Sequence, residues 1–142
     1  MRFVTFATTG STEPAWALDR DRGTRVGVQR PDGTIHALAP GLRLVDLLGD
    51  LVAAGASTPS EVFATADVRL LPPVPAPPSV RDFMTFEQHV AGAVRNRDPA
   101  ATVAPAWYEI PTFYFSNPAG LIGAHDPVPM PPGCERLDLE LE

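Results

Sequence analysis

Three groups of residues in this chain have side chains suited to chemistry. Asp82 and His89 stand seven positions apart. An aromatic run, Phe113-Tyr114-Phe115, leads into Ser116-Asn117-Pro118. The chain closes on Leu137-Asp138-Leu139-Glu140-Leu141-Glu142, where carboxylates alternate with leucines. In a strand, residues two apart face the same way, so Glu140 and Glu142 share a face with Asp138 beside them. Like charges at that spacing repel unless a cation lies between them. A hard divalent ion such as Mg²⁺ or Ca²⁺ takes oxygen ligands of this kind. An amphipathic edge strand with a solvated acidic face shows the same alternation and needs no metal.

Phe83, Phe86, Val90 and Ala93 or Val94 recur at helical spacing and predict a helix over 82–95. Seven residues make about two turns, which brings Asp82 and His89 near one face, where a carboxylate ligand and an imidazole base could meet one ligand. A helix-capping aspartate followed two turns later by a surface histidine fits equally. Tyr114 between two phenylalanines suits either a substrate contact or core packing. Arg95 and Arg97 could bind an acidic substrate, or could simply be solvated. His36 follows a hairpin turn and His125 sits in a Gly-Ala-His-Asp-Pro turn. All eleven basic residues are arginines, so no lysine offers a Schiff base or a catalytic base.

The elements that must position these groups follow from the pattern. Arg2 to Phe6 and Ala15 to Leu18 read as short strands. Arg25 to Gln29 and Thr34 to Ala37 flank the turn Arg30-Pro31-Asp32-Gly33, a hairpin signal. Leu44, Val45, Leu47, Leu48, Leu51 and Val52 recur as one helix that should stop at Gly55. Ser57-Thr58-Pro59-Ser60-Glu61 looks like the cap of a second short helix. Val68 to Leu71 reads as a strand. Pro72, Pro73, Pro75, Pro77 and Pro78 then form an extended connector, since proline can continue neither a helix nor a central strand. The reading is an N-terminal α+β domain over 1–71, a linker over 72–80 and the start of a second domain over 81–142. The stretch after Arg95 as far as Pro118, containing Phe113-Tyr114-Phe115, reads as a proline-broken, looping segment, and 137–142 as a strand.

Composition sets outer limits. The 142 residues are 44% hydrophobic, enough to bury a core, and 17 prolines with 11 glycines suit a turn-rich mixed chain rather than a helical bundle. A net charge of -6 argues against nucleic acid. No apolar run approaches the roughly 18 residues of a membrane span, and the N-terminus lacks the pattern of a secretory signal. Cys134 is the only cysteine, which excludes an internal disulfide and fits a cytoplasmic location.

Order and spacing together resemble the fumarylacetoacetate hydrolase family. The residues that carry the likeness are Pro72-Pro73-Val74-Pro75 leading into Arg81-Asp82-Phe83-Met84-Thr85-Phe86-Glu87-Gln88-His89. Trp107-Tyr108-Glu109-Ile110-Pro111-Thr112-Phe113-Tyr114-Phe115-Ser116-Asn117-Pro118 follows, and then the closing Leu137–Glu142 run. The resemblance implies a small N-terminal α+β domain followed by the beginning of a mainly-β, β-roll catalytic domain that dimerises with itself. It implies a metal-dependent hydrolase that cleaves a carbon–carbon bond in a small 1,3-dicarbonyl acid, in the catabolism of aromatic or related compounds. Asp82, Glu140 and Glu142 would hold Mg²⁺ or Ca²⁺, His89 would be the catalytic histidine, and Tyr114 and Arg97 would contact substrate. Met84 stands where fumarylacetoacetases carry a tyrosine. The family's further aspartate ligand, the glutamate that pairs with the histidine and a later lysine have no counterpart, so the sequence reads as truncated and as inactive by itself. Decarboxylation or isomerisation within the family, or a non-catalytic interaction module, are the alternatives.

Overall fold

A computed structural model describes residues 1–20 and 23–139. The chain is mixed α+β and divides into two compact units. One comprises residues 1–75 together with 122–142, the other residues 76–121.

The first unit is built on a five-stranded antiparallel sheet. Its strands are β1 (Arg2–Thr8), β2 (Arg25–Gln29), β3 (Thr34–Ala37), β4 (Glu61–Ala64) and β5 (Val68–Leu71), in the spatial order β4-β3-β2-β1-β5. The β2–β3 hairpin forms as its sequence predicts. Arg30 donates its backbone N–H to Thr34 O at 2.8 Å, and Gly33 takes a φ of +83°, a region open to glycine. The Asp32 carboxylate accepts from the Thr34 N–H at 3.0 Å and from its hydroxyl at 2.7 Å, which draws the Asp32 pKa below its ordinary value.

Alternation gives the sheet two apolar faces. Phe3, Thr5, Ala7, Val26 and Val28 share one, by the register Phe3↔Val28 and Thr5↔Val26. Here Val26, Leu38 and Leu44 form a buried cluster with Phe3, Leu47 and Leu51, and Ala7, Ala15 and Leu71 form another with Leu18. Phe6, Ile35, Ala37 and Val68 fill the opposite face. The Phe6 and Phe63 rings meet edge-on there with centroids 5.2 Å apart, although β1 and β4 are separated by two strands. At about 4.8 Å per strand a flat sheet would hold them well apart, so the sheet curls over this core.

Several elements depart from the sequence reading. Ala15–Arg20 is a helix, α1, rather than a strand; Pro14 O accepts from the N–H groups of Ala17 at 3.0 Å and Leu18 at 3.2 Å, and Ala-Trp-Ala-Leu has good helix propensity. The single helix expected from Leu44 to Gly55 is broken in two. A 3₁₀ turn spans Leu44–Leu47, and α2 (Leu51–Ala56) restarts after Asp50, whose carboxylate caps the Ala53 N–H at 3.0 Å. Gly55 is not a left-handed stop. It lies inside α2 and is buried, and a Cβ there would collide with Met1 Sδ. Ser57 ends α2 rather than starting another helix: its hydroxyl donates to Ala54 O at 2.7 Å, and Glu61 to Ala64, with β-favouring Val62 and Phe63, pairs with β3. Residues 137–139 are irregular, not a strand, and Leu139 is 86% exposed.

The second unit holds β6 (Val80–Phe83), α3 (Glu87–Arg97), the short helix α4 (Ala106–Glu109) and β7 (Phe113–Ser116). The helix expected over 82–95 therefore begins only at Glu87, and its first residues are strand. The loop expected around Phe113 is strand too. β6 and β7 pair as an antiparallel ribbon, and the ladder runs on through the Met84 N–H to Thr112 O at 3.4 Å. No residue from 76 to 121 is buried. This unit is held by its ribbon, by the Trp107 Nε1–H donating to Met84 O at 2.8 Å and by the Tyr108 hydroxyl donating to Glu87 at 2.6 Å.

Candidate functional site

The ribbon sets the geometry of two of the six residues proposed from sequence. Its register is Val80↔Ser116, Arg81↔Phe115, Asp82↔Tyr114 and Phe83↔Phe113. Residues directly opposite in an antiparallel pair project to the same face, with Cβ atoms about 4.5–5.5 Å apart. Asp82 and Tyr114 are therefore neighbours on one face, framed by Val80 and Ser116. The other face is aromatic: the Phe113 ring meets Phe83 at 5.1 Å and Phe115 at 5.0 Å, and the Arg81 guanidinium lies 5.3 Å from each of the Phe113 and Phe115 centroids. That cation–aromatic stack occupies Arg81 and leaves Asp82 without the ion pair that a neighbouring arginine suggests.

Asp82 is half-buried, and its carboxylate has no hydrogen bond or ion pair among the described residues. Tyr114 is 70% exposed. A carboxylate free of internal donors, beside a phenol that can donate or accept, can hold a cation or a polar ligand.

The remaining candidates are not drawn to that pair. Because Asp82 is in β6 and His89 in the first turn of α3, they do not share a helix face, and the two-turn argument fails. His89 is exposed, with no side-chain hydrogen bond or ion pair among the described residues, and α3 contacts the ribbon only sparsely. Arg97 ends α3, exposed, where its charge complements the helix dipole as Arg95 does. Glu140 and Glu142 lie outside the described residues. Asp138 accepts a hydrogen bond from the Leu139 N–H at 2.9 Å. Among the described residues no group of three or more His, Cys, Asp and Glu side chains could hold a metal ion. The oxygen chemistry of Asp82 fits Mg²⁺ or Ca²⁺, as one ligand of such a set.

Sequence reasoning missed a second feature of this unit. An open cavity of about 380 Å³ is lined by Phe83, Met84, Trp107, Tyr108, Ile110 and Thr112 among others, and by none of the six proposed residues. The Tyr108 hydroxyl at its edge keeps its proton to a higher pH than a free tyrosine, because it donates to Glu87. The Trp107-Tyr108 pair was a visible signal, since adjacent large aromatics outside a core need a wall to rest on.

No family model, curated protein or solved structure matches the chain. No helix among the described residues is long and apolar enough to cross a membrane.

Proposed function

We propose that the chain carries part of the catalytic apparatus of a fumarylacetoacetase-like, metal-dependent hydrolase acting on a small 1,3-dicarbonyl acid. The observation that carries this reading is the in-register pairing of Asp82 with Tyr114, with the Asp82 carboxylate left free of internal partners. Two residues that the resemblance names as metal ligand and substrate contact are thereby neighbours, although 32 positions separate them in sequence.

The other roles rest on the resemblance. Glu140 and Glu142 join Asp82 as carboxylate ligands. A Mg²⁺ or Ca²⁺ ion bound by them would supply a Lewis acid to the substrate's carbonyl oxygens. His89 takes a proton from the attacking water. The Tyr114 hydroxyl hydrogen-bonds and orients a substrate oxygen, and Arg97 pairs with the substrate carboxylate through its planar fork. Water adds at the carbonyl carbon, the adjacent carbon–carbon bond breaks, and the departing carbon takes up a proton.

Calorimetric titration of the chain with Mg²⁺ and with Ca²⁺ tests the ligand set. Saturable binding that weakens at least tenfold in both Asp82→Asn and Glu140→Ala is the expected result. Binding of equal strength in both variants would remove the metal reading.

A second reading, a non-catalytic interaction module, has one observation in its favour. The unit 76–121 buries no residue and leaves Phe86 at 74%, Tyr114 at 70% and Phe115 at 65% exposure. Phe83, 42% exposed, shares one face of the ribbon with Phe115, and contiguous exposed apolar surface is characteristic of a binding face. Absence of any metal binding in the same titration selects this reading.

A further inference from the structure

We propose that an open cavity at the β1–β2 end of the first unit binds a small dianionic oxyanion of the phosphate or dicarboxylate type. The cavity measures about 740 Å³ and is lined by Arg2, Val28, Gln29, Arg30, Pro31 and Gly33 among others. The sheet fixes its walls. Arg2 stands opposite Gln29 in the β1–β2 register, and Arg30 opens the tight turn that the Gly33 N–H closes onto Arg30 O at 3.2 Å.

No carboxylate is among the lining residues. The nearest along the chain, Asp32, is engaged by the N–H and hydroxyl of Thr34. Neither Arg2 nor Arg30 forms an ion pair among the described residues. Arg2 finds only the neutral Gln29 Oε1, at 3.4 Å. The Arg30 Nε is buried with no hydrogen-bond partner. A guanidinium N–H withdrawn from water without an acceptor is an unfavourable arrangement, and a turn of the Arg30 side chain toward an anionic oxygen in the cavity would relieve it.

The absence of carboxylates from the cavity contrasts with the overall charge. Acidic residues number 17 against 11 basic ones, so an arginine has an excess of carboxylates from which to draw a partner. Arg25, Arg43 and Arg69 each have one, in Glu61, Asp46 and Asp126. Arg2 and Arg30 have none among the described residues, and neither do Arg81, Arg95, Arg97 and Arg136; what sets Arg2 and Arg30 apart is the cavity they share. Two fixed positive charges with planar, forked donors suit a doubly charged oxyanion better than a monovalent one. The site lies wholly within the first unit and is independent of the metal reading.

Titration calorimetry of the full chain with inorganic phosphate and, separately, with succinate at low ionic strength tests the proposal. Saturable binding of at least one of the two is expected, and the preferred one assigns the ligand as phosphate-like or dicarboxylate-like. Arg2→Gln and Arg30→Gln should each weaken it tenfold or more. In the wild-type chain, amide resonances of Gln29, Arg30 and Gly33 should shift on titration, a readout independent of whether the variants fold. Failure of both anions to bind, or binding that moves resonances elsewhere and leaves these three in place, overturns the proposal.

Discussion

Arg69 and Asp126 meet through two parallel hydrogen bonds, Nε to Oδ1 at 2.9 Å and Nη2 to Oδ2 at 2.7 Å. The remaining arm of the guanidinium, Nη1, donates to Ser11 O at 3.2 Å and Glu13 O at 2.7 Å. The Gly123 N–H adds a further bond to Asp126 Oδ2 at 2.8 Å. One side chain of β5 thus fastens both the loop after β1 and the returning segment that begins at Ile122. The pair is 23% and 15% exposed at Arg69 and Asp126, so solvent screens it less than the surface pair Arg43–Asp46.

Asp126→Asn should therefore cost about 1.5–3 kcal/mol, the range for a charge-assisted hydrogen bond in a partly buried setting. Hydrogen bonding to Arg69 holds the Asp126 carboxyl below the usual carboxylate range. A carboxylate whose pKa falls on folding adds stability that is complete above its unfolded value, about 3.9, and is lost as pH drops toward the folded one. Urea midpoints of wild type and variant should differ fully near about pH 6 and converge below about pH 4. A gap that stays constant through acid would show that the charge is not what holds the segment.

Gly33→Ala tests the hairpin. No atom lies within 4 Å of a Cβ built there, so the substitution is penalised only by the φ of +83°. The expected loss is about 1–2 kcal/mol, and Gly33→Asn, which tolerates that conformation better, should lose less. Chemical denaturation of the two variants side by side reads the difference.

The two units should differ sharply in hydrogen exchange. β1 and β2 lie inside the sheet, over buried Phe6, Val26 and Val28, whereas β6 and β7 form a two-stranded ribbon in a unit with no buried residue. Isolated ribbons of two strands are marginal in water. Amides of Arg81 and Phe115 should exchange orders of magnitude faster than those of Val4 and Val26. Comparable protection would mean that the ribbon is covered in solution.

His89 is the residue on which the hydrolase reading can fail most directly. In a preparation that turns over a 1,3-dicarbonyl acid, His89→Ala should lower kcat by about a hundred- to ten-thousand-fold and leave Mg²⁺ affinity within twofold of wild type. Undiminished turnover would strip His89 of its assigned role.

The first unit was largely legible because local signals and tertiary demands agree there. β2, β3 and β5 have the bounds that alternation and the Pro-Asp-Gly turn predict. β4 was misread because Ser57-Thr58-Pro59 resembles a helix start, while the open edge of β3 claims Val62 and Phe63 instead. The run from Leu44 to Val52 has helical periodicity, but Gly49 interrupts it and Asp50 is a better cap than an interior residue. In the second unit the apolar spacing of Phe83, Phe86 and Val90 imitates a helix face. Phe83 in fact belongs to a four-residue strand whose partner lies beyond α4, a pairing that no local window contains. The neighbourhood of Asp82 and Tyr114 was hidden for the same reason.

The position of β1 between β2 and β5 has a consequence for how the chain folds. Its pairing with β2 closes early, but the ladder Thr5↔Leu71 to Thr8↔Val68 cannot form until β5 has been synthesised. Until then the far edge of β1 is an open template beside bare Phe6 and Ala7. Long-range closure of this kind slows folding, and an unsatisfied edge invites pairing with another nascent chain. Fewer nascent chains per volume should therefore raise the yield of native protein, whereas slowing elongation between β1 and β5 should lower it.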